Sequence, residues 1–412
     1  MNDGQDAATL IEILDAREAR QREQTRLLGE YGQTLVCFTM NIVGARKRSP
    51  LIDFAFDRGR RALCAALPRS FCETICRRAG NEFYLVTEVP AGEAKEICMK
   101  LEGTPVGRLY DMDVLKPNGE KLSRTVGRTC LICDRDAFVC ARSRLHRPEE
   151  LIQRTNDILT RFAAEELADC AVRSLCREVR VTPKPGLVDE NNNGAHRDMN
   201  LPMFLLSAEA LRPYFAFCAA CAMEEPDCMP KLQAAGLAAE QTMLEVTGGV
   251  NTHKGAIYSL GLLSAAAGAA LVHGRELYGQ AAAYARAGKP SEKTHGRAVL
   301  TRYGGRGARE EAEAGFPLAR EACRLLNAGA PATEVLMRMI LMCQDTNLLY
   351  RGGTEGLSFA REWARRVLRA PEDERQALLT QMDAALIGRN LSPGGCADLL
   401  AQGFFLQELS FA

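Results

Sequence analysis

The hydrophobic and polar positions in the first third of the chain change period several times. Three apolar, β-branched runs predict strands, and two segments with helical period lie between them. The strands are expected at 35–43, 82–89 and 107–117, and the helices at 49–68 and 91–102. Ser49 and Pro50 are start signals for the first helix, and Pro68 is its stop signal. This part of the chain is predicted to be a mixed α/β domain.

Beyond residue 148 the helical period continues. Residues 148–180 form one long helical pattern, and the sequence after Pro202 is rich in alanine and leucine with the same period. A chain of 412 residues exceeds the size of a single hydrophobic core, so two domains are expected. No linker rich in glycine, proline or serine marks the boundary, which we place near residue 160. The predicted organisation is an α/β domain at 1–160 and an all-α domain at 161–412.

Composition excludes several classes of protein. The 52 basic and 52 acidic side chains balance, which argues against the broad basic surface of a protein that binds long nucleic acid. The N-terminus lacks the pattern of a signal peptide, and the longest apolar segment, Leu260–Val272, contains glycine and is too short for a bilayer. We therefore expect a cytoplasmic protein with no membrane or nucleic-acid partner. Its 16 cysteines are expected to be reduced, with a few available to metal.

Two acids in the third predicted strand are candidates for a magnesium site. A strand has a period of two, so Asp111 and Asp113 share one face of GRLYDMDVLKP. Paired carboxylates are suitable oxygen ligands for Mg²⁺ in phosphoryl transfer. A solvated strand face with two acids is the alternative.

The region around and beyond this strand is rich in arginine, whose guanidinium group binds phosphate through two parallel hydrogen bonds. The candidate phosphate ligands are Arg108, Arg124, Arg128, Arg142 and Arg144. A solvated surface run is the alternative.

Interleaved with these arginines is a possible structural zinc site. Cys130, Cys133, Cys140 and His146 follow the spacing Cys-x2-Cys, then a third cysteine and a histidine. In a chain with many buried thiols, coincidence is the competing interpretation.

These motifs resemble a known family. The run from Gly29 to Asp157 is similar to the apo-citrate lyase phosphoribosyl-dephospho-CoA transferases, through LVCFTMNIVGARKRSPLIDFAFDRG, GRLYDMDVLKPNG, LSR and CLICDRDAFVCARSRLHRPEEL. The resemblance implies a nucleotidyltransferase-like fold and a reaction in which a serine of the citrate lyase acyl carrier protein attacks a phosphorus, with pyrophosphate leaving. Asp111 and Asp113 would then hold magnesium, and the arginines would neutralise phosphate charge.

The second domain carries its candidate chemistry in loops. The segment VTPKPGLVDENNNGAHRDMN is too polar for a core element. It brings Lys184, Asp189, His196 and Asp198 together as a base, a metal ligand and a phosphate-binding cation, the last being Lys184. Ordinary surface is the alternative. Three glycine-rich junctions follow, the first two at expected helix starts, where free amides bind anions. Together with the polar loop, the three are expected to bind a triphosphate and a ribose. They carry His253 with Lys254, Arg306 with Arg309, and Asp345 with Arg351, and the third is expected to end a helix. Tight turns beside core helices are the alternative.

These phrases resemble the triphosphoribosyl-dephospho-CoA synthase family. The similarity lies in KPGLVDENNNGAHRDM, GGVNTHKGAIYSLGLL, GAREEAEAGFP, DTNLLYRGG and SPGGCADLL. It implies that the ribose 2'-hydroxyl of dephospho-CoA attacks the anomeric carbon of ATP and adenine leaves. That reaction requires a carboxylate near the sugar, either Asp198 or Asp345, and a proton carrier, either His196 or His253.

The two resemblances together imply a fused transferase for citrate lyase maturation, in which the second domain makes the nucleotide that the first consumes. Two alternatives stay open from the sequence. The same activities would serve malonate decarboxylase, or the chain would be a nucleotide-binding regulator with an inactive site.

Overall fold

The chain divides into two compact units. The structure is a computed structural model and describes residues 7–124, 127–133, 135–289, 299, 301–304 and 307–409. Unit 1 is Met1–Ala163 and unit 2 is Ala164–Ala412. Their boundary falls inside one long helix, Pro148–Val179.

Unit 1 is built on a four-stranded antiparallel sheet with strand order β2-β3-β1-β4. Its elements are α1 (Leu10–Tyr31), β1 (Thr34–Met40), α2 (Pro50–Ala66), β2 (Phe71–Arg77), β3 (Gly80–Thr87), α3 (Ala91–Glu102), β4 (Tyr110–Leu115) and α4 (Ala137–Arg142). The three predicted strands and both predicted helices are present. Strand β2 was not predicted, because its largely exposed residues FCETICR lack an alternating apolar face.

Helices cover both faces of this sheet. On one face Leu27 of α1 packs in a buried cluster with Leu35 and Cys37 of β1 and with Tyr84 of β3. On the other face α2 approaches β1 so closely that a Cβ at Gly59 would lie 2.7 Å from the ring of Phe38. The sheet is therefore sandwiched, and polar side chains reach solvent only near strand ends and edges.

Every regular element described in unit 2 is a helix. After α5 (Pro148–Val179), which begins in unit 1, the helices are α6 (Leu201–Ala210), α7 (Arg212–Glu224), α8 (Met229–Val246), α9 (Lys254–His273), α10 (Leu277–Ala287), α11 (Ala308–Glu313), α12 (Pro317–Asn327), α13 (Ala332–Met342), α14 (Thr346–Arg369), α15 (Glu372–Gly388) and α16 (Gly394–Leu409). Among the residues described, the chain is thus mostly helical, with its small sheet confined to the N-terminal part.

Helix α9 lies at the centre of unit 2 because its small residues permit close packing. Gly268 meets the backbone of Ala219 in α7 with no room for a side chain. This helix contains the segment Leu260–Val272 and, at 20 residues, is long and apolar enough to cross a membrane. The stretch Leu201–Glu224 passes the same test. The prediction that this segment is too short to cross a membrane is therefore wrong. However, 78% of the 18-residue apolar stretch in α9 is buried inside the protein, as in a core helix.

The third glycine-rich junction differs from its prediction. The preceding helix ends at Met342, and Asp345 does not end it but caps the start of α14. Asp345 is a good N-cap because its carboxylate accepts the free N–H groups of a first helical turn. Gly353, with φ 60°, then kinks α14 between two helical segments.

Candidate functional site

A large cavity in unit 2 collects most of the residues expected to act there. Its volume is about 1710 Å³, whereas pockets for one small ligand span roughly 300–1,000 Å³. The space therefore suffices for two nucleotide-sized molecules. The predicted residues that line it are Lys184, His196, His253, Lys254, Arg309, Asp345 and Arg351. Asp198 is exposed and is not among the lining residues, and Arg306 lies outside the described residues.

The polar loop between α5 and α6 is folded by its own side chains. Asp189 accepts the backbone N–H of Lys184 at 2.8 Å through Oδ2, and those of Asn191 and Asn192 through Oδ1. The Lys184 ammonium is buried and lies 2.6 Å from Glu178 Oε1. Burial raises the pKa of Glu178, and Lys184 opposes that rise. Asp189 therefore shapes the loop, and the Glu178–Lys184 pair forms part of the cavity wall.

Two neutral histidines face the cavity. His196 accepts from Arg351 at 3.3 Å through Nδ1, because arginine can only donate, and its Nε2–H is left to donate to Ser392 Oγ at 2.9 Å. Burial and then Arg351 lower the pKa of His196 to about 4. His253 is buried with Nδ1 2.9 Å from Ser207 Oγ, and burial followed by Lys184 lowers its pKa to about 3. Neither imidazole is charged at neutral pH.

Asp345 is buried and fully engaged by the backbone. Its Oδ1 accepts from Asn347 and Leu348 in α14, and its Oδ2 accepts from Cys396 in α16 at 2.9 Å. Burial raises the pKa of Asp345, and these N–H groups oppose the rise. The carboxylate therefore joins the starts of two helices at the cavity wall.

A carboxyl group that the sequence did not single out lies in the same cavity. Asp398 of α16 stands against Gly255 at the start of α9, where a Cβ would collide with Oδ2. Among the described residues, none donates a hydrogen bond to it. Burial, followed by the charges of Glu178 and Asp345, raises the pKa of Asp398 to about 8, against the opposing charge of Lys184. Asp398 lies within the motif SPGGCADLL, and that position was the sequence signal that could have identified it as a site residue.

The other cations of the cavity pair with protein groups that a ligand can replace. Lys254 Nζ is 2.7 Å from Glu240 Oε2, and Arg309 contacts Glu313 at 2.7 Å. Arg351 donates to the carbonyl of Ala195 at 2.9 Å. These three cations are half-exposed and line the same cavity.

In unit 1, Asp111 and Asp113 lie on one face of β4. Met112, which comes between them in the sequence, lies on the opposite face and is buried. Asp113 Oδ2 is 2.6 Å from Lys121 Nζ, and Asp111 Oδ1 is 3.6 Å from Arg128. The Asp111 side chain is 49% exposed and that of Asp113 is 23% exposed. Both are thus accessible carboxylates on an edge strand.

A polar row on the same face went unpredicted. Thr39 of β1 pairs with Asp111 on one side and with Glu82 of β3 on the other, so the three side chains line up across the sheet. Buried Glu82 accepts from Arg20 at 3.0 Å and from the hydroxyl of Tyr84 at 2.8 Å. No local pattern connects these positions, which lie on three separate elements.

The arginines predicted to bind phosphate do not form one cluster. Arg124 and Arg128 both pair with buried Glu102 of α3. Arg108 donates to the side chain and carbonyl of Thr129. Arg142 stacks at 5.9 Å from the ring centre of Phe138, and Arg144 follows α4 with φ 49°. Of these five, Arg128 is the one that reaches the acid pair.

The cysteine and histidine cluster is assembled. One ligand atom from each of Cys130, Cys133, Cys140 and His146 lies within 4.8 Å of all the others. Burial acts to raise the pKa of Cys130, but hydrogen bonds from the backbone of Cys133 and Ile132 outweigh burial and lower it. Burial, with hydrogen bonds to Cys130 and Cys133, raises the pKa of Cys140 to about 11.

Comparison with known proteins places both sites in a family context. Residues 164–411 match the family model CitG, ATP:dephospho-CoA triphosphoribosyl transferase, and residues 8–162 match CitX, apo-citrate lyase phosphoribosyl-dephospho-CoA transferase. Protein CitXG of Haemophilus influenzae is 34% identical over 98% of this chain and 96% of its own length. The chain belongs to this CitXG family. It is therefore a transferase with a CitX part and a CitG part fused in one chain, and it serves citrate lyase maturation.

Further relatives agree with this assignment. Protein CitXG of Leuconostoc mesenteroides subsp. cremoris is 30% identical over 99% of this chain and 98% of its own length. The 2-(5''-triphosphoribosyl)-3'-dephosphocoenzyme-A synthase of Klebsiella pneumoniae is 40% identical over 60% of this chain and 91% of its own length. The cavity lies in the CitG part, and the acid pair and the cysteine cluster lie in the CitX part.

Proposed function

We propose that unit 2 makes 2'-(5''-triphosphoribosyl)-3'-dephospho-CoA from ATP and dephospho-CoA, and that unit 1 transfers phosphoribosyl-dephospho-CoA to a serine of the citrate lyase acyl carrier protein. The observation that carries this proposal is the unit 2 cavity, which has room for two nucleotides and both acidic and basic walls. Both reactions are assigned to the cytoplasm, with no membrane or nucleic-acid partner.

The synthase reaction exchanges one bond at the anomeric carbon of ATP. The 2'-hydroxyl of dephospho-CoA gives up its proton as its oxygen bonds to that carbon, the bond to adenine breaks, and the departing base takes up one proton, so the protons balance. The carboxyl group of Asp398, with its pKa raised to about 8 by burial and neighbouring acids, is protonated at neutral pH. It is our candidate for the acid that protonates adenine, in place of the neutral histidines.

The triphosphate needs cations that can leave their present partners. Lys254, Arg309 and Arg351 meet that need, because each is half-exposed and faces the cavity. Lys184 is buried beside Glu178, so we propose that it neutralises the charge of that carboxylate in the cavity wall.

The transferase reaction is assigned to the face of β4. The carrier serine hydroxyl would lose its proton to solvent as its oxygen bonds to the phosphorus next to the ribose, and the bond to pyrophosphate would break. Asp111 and Asp113 offer accessible oxygen ligands at alternate positions, which fits the preference of Mg²⁺ for carboxylates. The ion would neutralise phosphate charge there, and Arg128, 3.6 Å from Asp111, would add a second positive group.

Mass spectrometry of the carrier protein tests both halves. Apo carrier protein of citrate lyase, incubated with this chain, ATP, dephospho-CoA and Mg²⁺, should gain the mass of phosphoribosyl-dephospho-CoA, with one adenine released. Modification of the malonate decarboxylase carrier alone would overturn the choice of partner. Absence of adenine release would overturn the synthase assignment.

A further inference from the structure

The segment that carries the cysteine cluster has little apolar material to hold it folded. Its helix α4 has six residues, and the apolar side chains around it point outward, with Phe138 70% and Val139 58% exposed. Ile132 and Leu145 are also exposed. Cys140 is the buried side chain of α4. An apolar core therefore does not account for the fold of residues 127–133 and 135–147.

The cluster has the composition and spacing of a closed zinc site. Tetrahedral Zn²⁺ with Zn–S near 2.3 Å places its sulfur ligands about 3.8 Å apart. The four ligand atoms here fall within 4.8 Å, and His146 Nε2 is 3.3 Å from Cys133 Sγ. Arg144 has a left-handed backbone conformation and lies between the end of α4 and His146, where the chain turns towards the three cysteines.

Backbone geometry completes the site. Cys130 donates its N–H to the carbonyl of Arg135 at 2.8 Å, which closes the loop that carries the first two sulfurs. The N–H of Ile132 points at Cys130 Sγ at 3.5 Å. Such N–H···S contacts orient metal-binding cysteines and stabilise their thiolates.

We propose that Cys130, Cys133, Cys140 and His146 bind one Zn²⁺ ion. Four protein ligands leave no open position, so the role is structural. The ion fixes the loop that begins at Arg128, and Arg108 holds the same loop through its hydrogen bonds to Thr129. Arg128 lies 3.6 Å from Asp111. Zinc thereby keeps this arginine beside the acid pair of β4.

Metal analysis of the purified, reduced full-length chain tests the proposal independently of its activity. We expect about one zinc per chain, and loss of most of it in Cys140→Ser. Cys72→Ser is the matched control, because Cys72 is an exposed free thiol on β2, and it should retain the metal. His146→Cys should also retain zinc, since a fourth thiolate can replace the imidazole, whereas His146→Ala should bind it more weakly.

A second measurement covers the case in which Cys140→Ser fails to fold. Treating the wild-type chain with a strong chelator should expose residues 127–147 to protease about tenfold faster, and added Zn²⁺ should reverse the effect. Adenine release by unit 2 should persist throughout. Zinc-free protein with the same protease resistance as the untreated chain would overturn the proposal.

Discussion

Replacing Asp398 by asparagine should separate stability from activity in unit 2. Asparagine matches the shape of the protonated acid and cannot ionise. The folded pKa of Asp398 is raised from an ordinary 3.8 to about 8, a shift of about four units at about 1.4 kcal/mol each. That product, about 6 kcal/mol, is an upper limit, because water reaches the open cavity. We expect about 1–3 kcal/mol of added stability above pH 8.

The sign follows from proton binding. Between pH 4 and pH 8 the folded chain keeps a proton that the unfolded chain has lost, so the wild type loses stability as pH rises through this window. The asparagine variant does not. Its advantage in melting temperature should therefore be larger at pH 9 than at pH 5, reaching about 3–9 °C for a unit of this size.

The assay uses the single tryptophan, Trp363, which lies in unit 2 and reports its unfolding by fluorescence. Adenine release should fall by about 10²–10⁴-fold if Asp398 is the acid. Asp373→Asn, at an exposed position of α15, is the control and should change neither quantity. Equal melting shifts at both pH values would refute the raised pKa, and near-normal adenine release would refute the acid role.

Four further variants have distinct expected outcomes. Asp111→Ala and Asp113→Ala should each abolish carrier modification measured by mass spectrometry while adenine release continues; normal transfer by both would remove the acid pair from the mechanism. Lys254→Ala should raise the Michaelis constant for ATP by about tenfold or more, through loss of about 1.5–3 kcal/mol of phosphate binding. Asp345→Asn should lower the Trp363 melting temperature, because its amide N–H₂ cannot accept from Cys396, with about 1–3 kcal/mol lost. Unchanged melting would return Asp345 to a role in the reaction.

Local periodicity was sufficient for much of the fold. The alternation in β4 placed Asp111 and Asp113 on one face, and the helix at Ala91–Glu102 has the predicted bounds. The sequence did not predict strand β2, because its hydrogen bonds to β3, and not an apolar alternation, define it. The prediction that Asp345 ends a helix is wrong, because its carboxylate accepts the first N–H groups of the following helix and caps its start.

The sequence by itself determined the family, the order of the two parts and the set of polar side chains, since ordered motifs and local period are written in neighbouring residues. Tertiary structure decided which of those side chains share an environment. Glu178, Asp345 and Asp398 are far apart along the chain, yet they line one cavity, where burial and then the charges of Glu178 and Asp345 raise the pKa of Asp398 to about 8. Glu102 likewise gathers two of the expected phosphate ligands. Burial and charge depend on distance in space, so no local pattern contains them.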